Sequence, residues 1–160
     1  MNLFEFIKKS PKAELHLHIE GTLEPDQMFV LAKKNNIQIP FKSIDDVKSA
    51  YNFDNLDSFL KIYYEGTKVL IKEQDFFDLT CAYALKCKEE NIVHTEIFFD
   101  PQTHTERGVK FDVVINGIYN ALLKAEKQFG LSFKIIMCFL RHLDESPCFK
   151  ILNQAILHKE

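Results

Sequence analysis

The side chains best placed to do chemistry stand near the start of the chain, in the run Ala13-Glu14-Leu15-His16-Leu17-His18-Ile19. Apolar and ionisable residues alternate there without a break, as they do in a β-strand whose side chains point to opposite faces in turn. Ala13, Leu15, Leu17 and Ile19 then share one face, and Glu14, His16 and His18 the other. Two imidazoles on one strand face start about 6.6 Å apart and can converge on one cation, with Zn–N distances of about 2.0–2.1 Å. The His16-x-His18 pair is therefore a candidate metal site, to be weighed against the plainer reading of two unconnected surface or core histidines. Gly21 turns the chain just past this strand, at the end where parallel α/β folds bind their ligands.

The rest of the chain must position that strand. A first helix over about 2–9 is expected to stop at Ser10-Pro11, because the residue before a proline is pushed out of the helical region. Glu24-Pro25 opens a second helix, with Met28, Leu31 and Ala32 at helical spacing and Asn35-Asn36 as its end. Ser43-Ile44-Asp45-Asp46 is a capping signal for a short helix, and Leu56, Phe59, Leu60, Tyr63, Thr67 and Leu70 stripe a longer one. Phe76, Leu79, Tyr83 and Cys87 form a further helical stripe ahead of an extended run, Ile92–Phe99, closed by Asp100-Pro101. The gap from Ile19 to Ile92 is too long for one crossover helix, so the helices over about 22–75 form an excursion, a candidate lid over the strand end.

A helix over Phe111–Phe129 ends at Gly130, where a C-cap glycine belongs. The run Phe133–Leu140 is almost wholly apolar, as strands buried on both faces are. A last helix starts near Pro147, with Phe149, Leu152, Ile156 and Leu157 as its stripe. Three strands separated by helices read as α/β with a parallel sheet.

Composition narrows the function. The 160 residues are 46% apolar and carry a formal charge of −3, which is the balance of an ordinary globular domain and not of a disordered chain. Only Arg107 and Arg141 among the 20 cationic side chains are arginine, which argues against a nucleic-acid binder, since guanidinium forks grip phosphates best. No apolar run approaches the roughly 18 residues of a membrane span, and the N-terminus lacks a secretory pattern. Cys81, Cys87, Cys138 and Cys148 show no C-x-x-C spacing and read as small core hydrophobes. Together these place the protein in a reducing cytoplasm.

The segment Lys12–Gly21 (KAELHLHIEG) resembles the first strand of the adenosine/adenine deaminase family of metal-dependent hydrolases. The likeness continues through Glu96–Pro101 (EIFFDP), Asp100–Thr105 (DPQTHT) and Cys138–His142 (CFLRH). The resemblance implies a (β/α)8 barrel, here its first three βα units with a helical lid inserted after the first strand. It implies that His16 and His18 ligate one catalytic zinc ion, and that a small-molecule purine is the substrate. Glu20 in the H-x-H-x-Glu-Gly form, with the DPQTHT run, is similar to the adenine branch: adenine would go to hypoxanthine and ammonia in purine salvage, with adenosine deamination as the alternative. A carboxylate as long as Glu20 occupies space that a sugar would need, set against a plain helix-dipole role at the next helix start.

By the same resemblance Leu60 and Tyr63 are lid residues over the purine, and Phe99, Asp100, Arg141 and His142 are strand-end contacts to substrate. The plainer alternatives are a core stripe for the first two and strand-end caps or ion pairs for the others. The family's acid/base glutamate, third zinc histidine and aspartate lie on later strands, and His94, His104, His142 and His158 do not match those roles. Against a barrel of ~250 residues, the chain is expected to be a single incomplete domain over 1–160, inactive alone. An unpaired edge on Phe133–Leu140 would then invite self-association.

Overall fold

The computed structural model describes residues 2–158; Met1, Lys159 and Glu160, the outermost positions of a 1–160 domain, lie outside the described residues. The elements are α1 (Leu3–Lys9), β1 (Lys12–His18), a 3-10 turn (Ile19–Thr22), α2 (Pro25–Asn35), α3 (Ile44–Ala50) and α4 (Leu56–Thr67), then α5 (Glu73–Glu89), β2 (Ile92–Phe99), α6 (Pro101–Thr105), α7 (Phe111–Phe129), β3 (Ser132–Met137) and α8 (Glu145–Ile156). The strands form one parallel sheet in the order β1-β2-β3. The core lies where α5 and α7 cover one sheet face: Phe76, Leu79 and Cys87 of α5 and Val114, Ile118 and Leu122 of α7 meet Ile97 and Phe99 of β2. The two helices approach closely at Gly117, where a Cβ would stand 2.5 Å from the Glu73 carbonyl oxygen and 2.7 Å from the Phe76 Cβ. Only glycine leaves room for that approach. No helix among the described residues is long and apolar enough to cross a membrane.

Alternation along β2 sets which side chains reach the site. Thr95, Ile97 and Phe99 face the helices, Thr95 through a 2.6 Å contact with the Tyr83 hydroxyl of α5. His94, Glu96, Phe98 and, just past the strand, Asp100 face the other way. On β1 the expected alternation fails. Three residues advance from Glu14 to Leu17 while β2 advances two, from Thr95 to Ile97, so β1 carries a bulge. Glu14 therefore pairs with Thr95 on the helix side, near Tyr83 and Cys87, whose pKa values are raised by burial first and by the Glu14 charge as a lesser cause. Leu15 is left 57% exposed at the bulge, and Ala13 is exposed too. The apolar face expected over Ala13, Leu15, Leu17 and Ile19 thus reduces to Leu17 and Ile19 packed on the core.

Two later expectations also change. β3 ends at Met137 and is only half covered, not buried on both faces, because α7 packs on one face alone. In α8 the core-facing residues are Ile151 and Ala155, and Phe149, Ile156 and Leu157 are exposed. Asp100-Pro101 closes β2 as expected but also starts α6, with proline in its first turn.

The segment between Thr22 and Glu73 holds α2, α3 and α4. α3 starts with the capping box that its sequence announces, Ser43 and Asp46 each bonding the other's backbone N–H. Asp75, fully buried, ties this segment to α5. It accepts from Lys34 Nζ (2.9 Å), Asn35 Nδ2 (2.7 Å), and the Ile71 and Lys72 amides (3.1 and 2.9 Å). Burial would raise its pKa, but these donors bring it below the ordinary aspartate value.

Candidate active site

His16 and His18 stay on one face of β1 despite the bulge, with ring centroids 5.7 Å apart. Phe98 lies beside both: His16 stacks on it at 4.3 Å and His18 at 5.5 Å. The aromatic wall holds the two imidazoles side by side at the C-terminal end of the sheet, while His16 remains exposed. His18 Nδ1 lies 3.3 Å from Asp100 Oδ2. With Nδ1–H given to a carboxylate, Nε2 is the ring atom free to bind a cation, the usual arrangement behind a metal-ligating histidine.

Behind this pair the 3-10 turn puts Glu20 into the interior, 3% exposed. Its Oε1 accepts from the Asp100 amide at 2.9 Å and from His104 Nε2 at 3.1 Å. Among the described residues its Oε2 receives the Tyr63 hydroxyl alone, at 3.3 Å, and that hydroxyl sits closer to Asp100 Oδ2, at 2.9 Å. Burial works against an ionised Glu20, yet the His104 and Asp100 N–H groups hold its pKa below the usual glutamate value. Asp100 goes the other way, raised by burial and by the Glu20 charge beside it. Burial and the same two carboxylates push the Tyr63 phenol far above its ordinary range, so it remains a donor at any physiological pH.

Cys138 follows β3 and falls on the same face. His18, Asp100 and Cys138 each bring a ligand atom within 4.8 Å of the other two. Burial and the neighbouring carboxylates push the Cys138 thiol up to about 11, so with no cation beside it the thiol stays protonated near neutral pH. The 3.3 Å contact makes Asp100 the group that orients His18, and Cys138 stands beside the pair. Two imidazoles on one face backed by a carboxylate fit the chemistry of a divalent cation.

Of the residues singled out in the sequence, the structure brings His16, His18, Glu20, Tyr63 and Asp100 together. Leu60 is half-buried one helical turn before Tyr63. Phe99 points away, into the core against Phe111, and borders a groove of about 540 Å³ between α7, β3 and α8 on the opposite side of the sheet. Phe98 holds the place expected for it. Arg141 and His142 are exposed in the loop after β3, outside the hydrogen-bonded cluster. Sequence reasoning passed over three participants, all following Asp100: Gln102, whose Oε1 accepts from the Leu140 amide at 2.9 Å and fixes that loop, His104, and Arg107.

The sequence model described as Adenosine deaminase matches residues 11–160. The chain belongs to the adenosine deaminase family. It is 60% identical over 158 residues to an adenine deaminase of Psychrobacter cryohalolentis, covering 99% of this chain and 48% of that one. The crystal structure of an adenine deaminase from Arthrobacter aurescens superposes with a TM-score of 0.89 at 44% identity, over 92% of this chain and 45% of the other. An amidohydrolase from Burkholderia ambifaria, whose crystal structure contains bound Zn, shares the fold at a TM-score of 0.84 and 20% identity, over 98% of this chain and 43% of that one. The three parallel strands and their helices have the α/β arrangement of the N-terminal part of these amidohydrolase barrels. The chain spans about half the length of the curated relatives that it matches.

Proposed function

We propose that this segment builds one side of a purine aminohydrolase site, in which adenine is hydrolysed to hypoxanthine and ammonia. The observation that carries the proposal is the His16/His18 pair backed by Asp100 and Glu20, in a chain 60% identical to an adenine deaminase. Adenosine deamination is the second reading, since the matched family bears that name.

His16 and His18 would hold the cation, with zinc supported by the Zn in the Burkholderia neighbour. When bound, such an ion makes a water acidic near neutral pH, which is the nucleophile needed to displace ammonia from a purine carbon. Asp100 keeps the His18 ring in register, and Phe98 prevents both rings from turning away. Tyr63 brings α4 down onto the two carboxylates, which supports reading the helices between β1 and α5 as a lid. The carboxyl group for proton delivery, the third histidine and the aspartate implied by resemblance would complete the site in the full-length protein. The proposal places the enzyme in the cytoplasm, where its four free cysteines stay reduced. It includes self-association of the isolated segment through β3, whose outer edge has no partner strand among the described residues.

The test is conversion of adenine to hypoxanthine by the full-length protein before chelation, after it, and after zinc is restored. Activity lost on chelation and recovered with zinc is expected. Undiminished turnover in metal-free protein would overturn the metal assignment, and no turnover in any state would overturn the reaction.

A further inference from the structure

Glu20 is held by a chain of hydrogen bonds that runs away from the metal pair. Arg107 Nη2 lies 2.9 Å from His104 Nδ1. A guanidinium has donors and no acceptor, so Nδ1 is unprotonated and Nε2 carries the hydrogen that His104 gives to Glu20 Oε1. The tautomer is thus set by Arg107. Arg107 is itself fixed by four backbone carbonyls: Thr103 at 2.9 Å, Thr67 at 2.9 Å, Lys68 at 3.2 Å and Leu70 at 3.3 Å. Three of these belong to the end of α4 and its connection to α5. His104 has no freedom to turn, being fully buried with its ring edge-on to Phe76 at 4.8 Å.

The result is an asymmetric carboxylate. Oε1 is doubly donated by fixed N–H groups, while Oε2 shares one Tyr63 proton with a nearer acceptor. A buried carboxyl oxygen short of donors calls for one. A free purine base carries a ring N–H on its imidazole edge; a nucleoside carries its sugar on that nitrogen and has no such donor. We infer that His104 and Arg107 are positioning residues for base selectivity: they pin Glu20 by Oε1 so that Oε2 accepts the ring N–H of a free purine base, and they tie that acceptor to the end of α4. This rests on the purine reading above but assigns to two residues that do not touch substrate the task of choosing base over nucleoside.

The experiment compares wild type, His104→Leu, His104→Gln and Arg107→Ala in the full-length protein, with kcat and KM measured separately on adenine and adenosine. His104→Leu is expected to lower kcat/KM on adenine by roughly 10- to 100-fold, the usual effect of removing a second-layer partner, chiefly through KM. On adenosine kcat/KM should fall far less, so that the adenine-to-adenosine ratio drops. His104→Gln keeps an N–H toward Glu20 and should recover most of the adenine loss. A merely structural role would lower both substrates alike and show no rescue, and that result overturns the inference. Independently of turnover, 15N spectra of the metal-free full-length protein should show His104 as the Nε2–H tautomer in wild type and as a mixture in Arg107→Ala; an Nδ1–H tautomer in wild type also overturns it. Should the wild type deaminate neither purine, the functional reading falls, while the spectra still decide the Arg107–His104 pair.

Discussion

Replacing His16 and His18 together by alanine should lower adenine deamination by the full-length protein on the order of 10³-fold or more, since Lewis-acid activation contributes several kcal/mol. Bound zinc should fall with it, as measured by metal analysis of the purified protein. Stability should barely change. His16 is exposed and the His18 side chain is 37% exposed, so neither ring contributes much burial, and what each gives up on replacement is chiefly its stacking against Phe98. The two single variants should differ. His16→Ala removes a ring and nothing behind it, whereas His18→Ala also frees Asp100, a carboxyl already raised by burial beside Glu20. A double variant that kept its zinc and its rate would show that the pair is not the metal site.

Asp75→Ala should be the most damaging change away from the site, costing about 3 kcal/mol in urea denaturation of the chain. The estimate lies at the low end for breaking a buried ion pair, because the Lys34 partner is 38% exposed and can return to water. The loss instead comes from the Ile71 and Lys72 N–H groups and one of the two Asn35 amide N–H groups left without an acceptor, the other keeping the Val69 carbonyl. Asp75→Asn should also destabilise, since its amide N–H2 must face donors. The pH dependence has a fixed sign. The folded-state pKa of Asp75 lies below its ordinary value, so its contribution is present above about pH 4 and is lost as pH falls through the lower folded value. The stability gap between wild type and Asp75→Asn should therefore hold from pH 7 to about pH 5 and narrow below about pH 4. A gap constant down to pH 2.5 would contradict the assignment.

Periodicity makes much of this fold legible in the sequence. α5, β2 and α7 lie where their stripes and alternation put them, with Phe76, Leu79, Tyr83 and Cys87 buried as one face, because each element has a regular pattern and a clear stop. β1 departs in part from its pattern because a bulge adds one residue to one strand of a pair, and pairing is not visible in a single strand's sequence. Phe99 attracts attention by its position at a strand end; alternation from Asp100 back to Phe98 names the correct neighbour. His104 and Arg107 are harder to find. They stand in and just after a short helix that no stripe announces, and their importance comes from partners 84 residues away at Glu20 and 40 at Thr67. The local signals are the DPQTHT run that holds His104 and the i, i+3 spacing of His104 and Arg107 directly after a strand-end Asp-Pro.

In the proposed function this segment shapes a site for a free purine base. The direct measurement is the ratio of kcat/KM for adenine to that for adenosine, from ammonia release by the zinc-loaded full-length protein. If Glu20 Oε2 takes the ring N–H of the free base, a nucleoside, whose sugar replaces that hydrogen, loses the bond, and the expected ratio is at least ~10² in favour of adenine. Equal rates on the two substrates, or faster release from adenosine, would contradict it.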